Sequence, residues 1–358
     1  MNYIIDKTKH PVYLQLYKLL RDDIIAGIYP FNTKLPSKRL IAEETGVSVI
    51  TVEHALDLLC DEGYAASRER SGYFVLFRRS DGFALPGVEE KAPEHRQPVQ
   101  NDYPFFSVDV LSRTMRRILS DYGKLILEKT PNSGSLELRE AIKKYLARNR
   151  GITAQTEQII IGSGAEYLYR LITELFGRDK IYAIEYPSYD KIEQIYSTAG
   201  ITCERLPLAE NGIDSRALTN SEADILHTTP YRSFPSGVTA SASKRHEYIS
   251  WANKKERFII ESDYGSEFSV SSQPMETLYA LSHNDNVIYL NTFSRTISPS
   301  MRVGYMVLPK KLTALFYEKL GFYSCTVPTF EQLVLAEIIN NGSFERHINR
   351  IRRSKRRN

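Results

Sequence analysis

Three short stretches of this sequence hold residue types suited to binding phosphates. Gly162-Ser163-Gly164-Ala165 separates an apolar run at 159–161 from a helical one, and a strand-to-helix turn of that kind aims backbone N–H groups at an anion. Arg302 brings the planar guanidinium fork that pairs with phosphate. Nearer the N-terminus, Ser48-Val49-Ile50-Thr51 opens a helix just after Gly46, where a helix-turn-helix meets base edges and phosphates. Each has a plainer reading. A lone G-x-G is more often an ordinary βα turn, and most lone arginines are surface residues. Two helices joined at a glycine also make an αα-hairpin with no DNA role. With 23 tyrosines in the chain, an isolated one such as Tyr189 is more often core than site.

The elements that would position these residues fall into two groups. In the first, Ser37 follows Pro36 and can cap a short helix through Leu40, Ile41 and Ala42, which Gly46 breaks. Ser48 caps a second helix whose Val52, Ala55, Leu56 and Leu59 recur at core spacing, and Gly63 ends it. A β-hairpin follows, Tyr64–Ala66 and Tyr73–Leu76, around the short, basic loop 67–72. The polar stretch 79–102, with Pro86, Pro93 and Pro98 and no apolar period, reads as a linker. Beyond it, helices alternate with apolar runs expected to be strands at 158–161, 180–185, 202–207, 223–228, 257–262, 287–291 and 304–308. Near-continuous apolar strands imply a mostly parallel, seven-stranded sheet covered on both faces, hence an α/β domain.

A chain of 358 residues is long for one core, and 42% hydrophobic with 25% charged residues is ordinary globular composition. No apolar run reaches the roughly 20 residues of a membrane helix, and the N-terminus lacks the pattern of a signal peptide, so a cytoplasmic location is expected. Cys60, Cys203 and Cys325 lie far apart without C-x-x-C spacing, and read as reduced, buried thiols rather than a disulfide or metal framework. The net charge of +4 says little about nucleic acid, because removing the seven basic residues of 346–358 leaves −3. Residues 1–80 hold 11 Lys and Arg against 10 Asp and Glu. That module is basic only locally.

The run L-P-S-K-R-x-x-A-x-x-x-G-V-S-x-x-T-V, ending E-G-Y and S-G-Y-F-V, resembles the GntR family of winged helix-turn-helix regulators across residues 10–78. The resemblance implies DNA contacts from Ser37, Lys38, Arg39, Ser48, Thr51, Arg68, Arg70 and the wing-tip Gly72. The sequence departs at Val49, where the family often has Arg, and at Glu53, acidic where some members carry Arg. Fewer charged contacts imply modest affinity for one half-site, which a dimer reading two would offset.

The stretches TPNSGSLELREAIKKYLARNRGI (130–152), ESDYGSEFS (261–269) and TFSRTISPSMRVGYMVLP (292–309) resemble fold-type I aminotransferases that use pyridoxal 5'-phosphate. Behind a GntR module, they match the MocR group. The resemblance covers nearly all of 103–358. It implies cofactor contacts from Ala165 and Glu166 at the phosphate, Tyr189 on the pyridine ring, Ser262 and Tyr264 at its far edge, and Thr292, Ser294 and Arg302 completing the phosphate cup.

Arg295 stands where the family has the lysine that bonds to the cofactor aldehyde. Imine formation needs a neutral amine, and a guanidinium with a pKa above ~12 is protonated at neutral pH. Ser262 stands where the family's Asp holds the pyridinium. Residues two apart on a strand share a face, so Ser262 and Tyr264 would face the cofactor while Asp263 points away. Ser262 can hydrogen-bond the ring nitrogen but cannot balance its positive charge. The basic tail resembles the helix leading into the family's small C-terminal domain, which is expected to be missing.

These readings imply a homodimeric transcriptional regulator. It would bind a double-stranded DNA operator and a small-molecule effector, an amino acid or pyridoxal phosphate. Covalent cofactor attachment is expected to be absent, non-covalent binding is left open, and no metal is expected. The alternatives are a working pyridoxal-phosphate-dependent aminotransferase carrying a DNA module, or a decayed remnant.

Overall fold

A computed structural model describes residues 3, 5–6, 11–69, 71–78, 105–269 and 276–357. Arg70 and the whole linker assigned to 79–102 therefore lie outside the described residues. The chain divides into two compact units, 1–98 and 99–358.

The N-terminal unit is built on three helices, α1 (Val12–Ala26), α2 (Lys38–Thr45) and α3 (Val49–Asp61). Ser37 caps α2 by accepting from the Leu40 N–H at 3.2 Å, and Ser48 caps α3 by accepting from the Thr51 N–H at 3.1 Å. Gly46 ends α2 at φ +66°, a left-handed conformation that glycine adopts without a Cβ penalty. Leu16, Leu20 and Ile24 form the apolar stripe of α1 and pack against Val52, Ala55, Leu56 and Leu59 of α3, all buried. The hairpin pairs β1 (Ala65–Arg68) with β2 (Gly72–Val75), in register from Ala65↔Val75 to Arg68↔Gly72. Relative to the sequence expectation, the first strand starts one residue later and ends two later, and the second is shifted one residue earlier at both ends.

The larger unit opens with α4 (Val108–Tyr122) and α5 (Leu136–Asn149) and continues with β3 (Ile159–Gly162), α6 (Ala165–Phe176), β4 (Ile181–Tyr186) and α7 (Asp190–Thr198). Next come β5 (Thr202–Ala209), β6 (Gly212–Ile213), α8 (Ser215–Asn220), β7 (Ile225–Thr228), α9 (Ala242–Lys254) and β8 (Phe258–Asp263). The short α10 (Leu278–Leu281), β9 (Val287–Thr292), β10 (Gly304–Val307), α11 (Lys310–Leu320), α12 (Thr329–Asn340) and α13 (Ser343–Arg357) complete it. The sheet order is β3-β10-β9-β8-β7-β4-β5-β6. All seven expected strands are present. The eighth, β6, is two residues long and folds back antiparallel on β5; a strand that short has no alternation to betray it. β10 runs antiparallel to both β3 and β9, so the sheet is mixed rather than purely parallel.

Alternate residues of each strand serve different layers, as a pleat requires. Ile160, Ile184, Ile260, Ile288 and Met306 pack under α6, α7 and α11. Ile159, Ile161, Tyr289, Tyr305 and Val307 pack under α5, α12 and α13. Ala183, Leu226, Ile259 and Val287 meet α8 and α9. With both faces covered, ligands can enter only at the strand ends, and α/β sheets take them at the carboxyl ends. Cys60, Cys203 and Cys325 are free, as expected, but half-buried rather than buried.

Gly134, just before α5, tests how tightly these layers close. At φ +104° its Cβ would lie 2.3 Å from the Cγ1 of buried Ile161 on β3. Gly134→Ala is expected to destabilise this unit by about 2–4 kcal/mol, combining overpacking and backbone strain. Urea unfolding followed by the fluorescence of Trp251, the chain's one tryptophan, reads this unit directly. An unchanged midpoint would show that the Gly134 turn yields freely.

Candidate functional site

In the N-terminal unit the expected DNA contacts do not all present themselves alike. Arg39 is exposed on the first turn of α2. Lys38 is instead paired at the surface, where its ammonium bonds to Glu53 and sits 5.4 Å from the Tyr73 ring centroid. Arg68 lies back along the hairpin, over the Phe74 ring at 4.2 Å, and donates to Asn32 Oδ1 at 2.9 Å. The hydroxyls of Ser48 and Thr51 bond to one another at 2.8 Å. Gly72, at φ +105°, leaves room for Lys34, whose Cε would come within 3.0 Å of an added Cβ. Lys34 bridges to Phe74 as a third, minimal strand of the wing. The sequence reading missed it because a single bridging residue leaves no period.

In the larger unit, one cavity of about 420 Å³ opens at the carboxyl ends of the parallel strands, within the range that holds a small ligand. The structure brings to its wall all eight residues singled out as cofactor contacts, together with Arg295. Ala165 and Glu166 follow β3, Tyr189 follows β4, Ser262 and Tyr264 lie at the end of β8, Thr292 ends β9 and Ser294 follows it. Arg302 precedes β10. Arg232 and Phe234 of the stretch 229–237 also line it, as do Phe105 and Tyr169, which the sequence did not single out. Tyr169 was within reach, since it lies one helical turn beyond Ala165 and Glu166 on the same face of α6.

The phosphate end of the cavity is a helix start with a cation over it. No side chain caps α6; its N-cap is Gly164 at φ +87°. Arg302 lies so close there that a Cβ on Gly164 would come within 2.9 Å of its Nη2. The same guanidinium pairs with Glu166 at 3.2 Å, and Lys191 holds the other oxygen of Glu166 at 2.8 Å. The hydrogen bond from Lys191 holds the Glu166 carboxyl below its usual range. Arg232, Arg295 and Arg302 against Glu166 leave the wall positive. Ser294 donates to the Met301 carbonyl at 3.0 Å and Thr292 to the Val303 carbonyl at 3.1 Å, which folds the β9–β10 connection onto itself.

At the opposite end, Ser262 and Tyr264 line the cavity while Asp263 points to the back of the sheet. There Asp263 pairs with buried Arg150 and accepts from the Tyr289 hydroxyl at 2.6 Å. Ser262 Oγ lies 2.8 Å from His227 Nε2 and 2.9 Å from the Tyr169 hydroxyl, and His227 Nδ1 lies 2.7 Å from the Tyr196 hydroxyl. Burial drives the His227 pKa down to about 3 and pushes the Tyr169 hydroxyl up to about 12. The chain Tyr196–His227–Ser262–Tyr169 is therefore uncharged at neutral pH. It can present a hydroxyl to a ring nitrogen but no negative charge. Arg295 folds over the Tyr264 ring at 4.6 Å and donates to the Tyr264 carbonyl at 3.2 Å. Its guanidinium can donate hydrogen bonds and attract anions, but it neither forms an imine nor relays a proton.

The family model for bacterial regulatory proteins of the gntR family matches residues 12–75, and that for aminotransferase class I and II matches residues 99–358. The uncharacterized HTH-type transcriptional regulator YdeL of Bacillus subtilis is 33% identical over 97% of this chain and 77% of its own. The chain belongs to the MocR-like, GntR-family transcriptional regulators. The probable rhizopine catabolism regulatory protein MocR of Rhizobium meliloti is 28% identical over 96% of this regulator and 74% of its own length. Among solved structures, the kynurenine aminotransferase of Pyrococcus horikoshii superposes with a TM-score of 0.63 at 26% identity, covering 70% of this regulator and 65% of the enzyme. The regulator thus joins a DNA-binding winged helix to an aminotransferase fold. No helix among its described residues is long and apolar enough to cross a membrane.

His227 gives this site a measurable signature. An exposed imidazole titrates near 6.5, whereas His227 resists protonation down to about 3, so over that window the unfolded chain takes up a proton that the folded chain refuses. The stability it supplies is complete above pH ~6.5 and is lost as pH falls toward ~3, by up to about 4 kcal/mol. His227→Gln is expected to be less stable than wild type at about pH 7.5, with the gap narrowing toward about pH 4. Urea unfolding at several pH values measures it, and a gap independent of pH would contradict a neutral, buried His227.

Proposed function

We propose that this cytoplasmic regulator uses its aminotransferase-like cavity as a sensor that holds a small phosphorylated or amino-acid effector without covalent chemistry. We further propose that it works as a homodimer presenting two winged helices to an operator with two half-sites. The observation that carries the reading is Arg295, a guanidinium lying on Tyr264 in the cavity wall, at the position where the motif resemblance implies a lysine.

The residues fit pyridoxal 5'-phosphate at one end and not at the other. The uncapped start of α6, the Gly164 cradle and Arg302 suit a phosphate dianion. Tyr189 would stack on the ring, and Ser262 would offer the ring nitrogen a neutral hydroxyl. When bound, the cofactor supplies an electrophilic aldehyde and an electron-withdrawing ring. Arg295 offers the first no free amine, and the Ser262–His227 chain gives the second no counter-charge. This chain's own part is to bind and orient the guest through Arg302 and Tyr189, and to hold the phosphate in competition with Glu166. Because Glu166 already pairs with Arg302, an incoming phosphate exchanges one anion for another. That exchange shifts Glu166 toward Lys191 and gives occupancy a route into the surrounding loops. Differential affinity for two arrangements would then change half-site spacing and operator binding.

The test is chemical trapping. After incubation with pyridoxal phosphate and borohydride, intact-mass spectrometry of the wild-type chain is expected to show no added mass at this cavity, and Arg295→Lys is expected to show the reduced adduct. Arg302→Ala should weaken non-covalent binding of the phosphate about 10- to 100-fold, the worth of a charge-assisted pair. A borohydride-stable adduct within this cavity of the wild type would overturn the sensor reading.

A further inference from the structure

The recognition helix of this regulator is unusual in what it lacks. Over Val49–Asp61 the sequence VITVEHALDLLCD contains no Lys, Arg, Asn or Gln, the four residue types that make bidentate contacts to guanine or adenine. Its polar groups near the first turn are engaged elsewhere. Ser48 and Thr51 bond to one another, with Ser48 also capping the helix. Glu53 is held by Lys38, and Asp57 accepts from the Tyr73 hydroxyl at 3.2 Å. The wing's Arg68 is held against Phe74 and Asn32. What the helix start offers outward is apolar, with Val49 44% and Ile50 66% exposed.

Two β-branched residues standing in water at consecutive positions lose helix propensity and hydrophobic free energy, and give nothing to phosphates. They make sense against an apolar partner. In a helix-turn-helix this first turn faces the base edges of the major groove. Only one group there is apolar, the C5-methyl of thymine.

We infer that Val49 and Ile50 read thymine methyl groups, so that the operator half-site carries thymines where α3 enters the major groove. Successive residues on a helix project about 100° apart, so the two side chains reach methyls on different base pairs. Positioning on the backbone then falls to Arg39 and Lys34, and sequence choice at these pairs to methyl contact and the exclusion of water.

The experiment enriches binding sites for the full chain from a random-sequence duplex pool, then replaces each thymidine of the enriched half-site by deoxyuridine, which removes only the methyl. Two positions per half-site are expected to lose about fourfold in affinity each, the worth of one buried methyl. Changing either pair to C·G should lose more, and 5-methylcytosine there should recover part of the loss. Val49→Ala and Ile50→Ala should each erase the sensitivity to uridine at one position, and circular dichroism checks that they remain folded. Uridine without effect at every position, or enriched sites carrying guanine under the helix start, would overturn the assignment. A chain that enriched no sequence would remove base reading altogether, and this assignment with it.

Discussion

Asp263 carries its charge on the back of the sheet, paired with Arg150 in a setting where both side chains are almost fully buried. Removing one partner of such a pair strands the other charge and costs about 3–5 kcal/mol, so the end of β8 is not free to turn over. Because consecutive strand residues alternate faces, the pair also dictates that Ser262 and Tyr264 face the cavity. The buried network extends it: Asn291 donates to Glu267 at 2.7 Å, and Arg352 of α13 donates to the Glu267 carbonyl at 2.6 Å. Burial, with the Asp263 charge beside it, pushes the Glu267 carboxyl up to about 7. Asp263 is thus committed to the back of the sheet, and at this end Ser262 offers the cavity a neutral hydroxyl.

That commitment bears on which groups the larger unit can offer to a guest. Anion binding needs only donors and positive charge, which the α6 start, Arg302 and Arg295 supply. At the other positions of the wall, Arg295 offers a guanidinium rather than an amine, and Ser262 a neutral hydroxyl. The same kind of exchange marks the winged helix, where Val49 and Ile50 occupy the turn that charged readers would use.

Much of this was legible from residue order. The seven principal strands betray themselves because a sheet covered on both faces needs continuous apolar runs. The caps at Ser37 and Ser48 are local, since a hydroxyl reaches an N–H three residues on. That Arg295 brings a guanidinium rather than an amine to the cavity wall is legible because it is a property of the residue itself. The alternation of Ser262, Asp263 and Tyr264 followed from the strand period alone.

Other features required the chain to fold. Lys38 and Arg68 looked like free cations in the sequence, yet one is held by Glu53 and the other lies on Phe74, contacts 15 and 6 residues away that no local period encodes. The pairing of β10 between β3 and β9, the bridge at Lys34 and the entry of Phe105 into the cavity arise from the same long-range packing. The depressed His227 pKa needs burial beside Ser262, 35 residues distant. Sequence alone determined which groups can ionise, bend a chain or start a helix, because those are properties of single residues and their near neighbours. Tertiary structure decided which of those groups meet and which are shut off from water, because electrostatic and packing energies depend on distance in space.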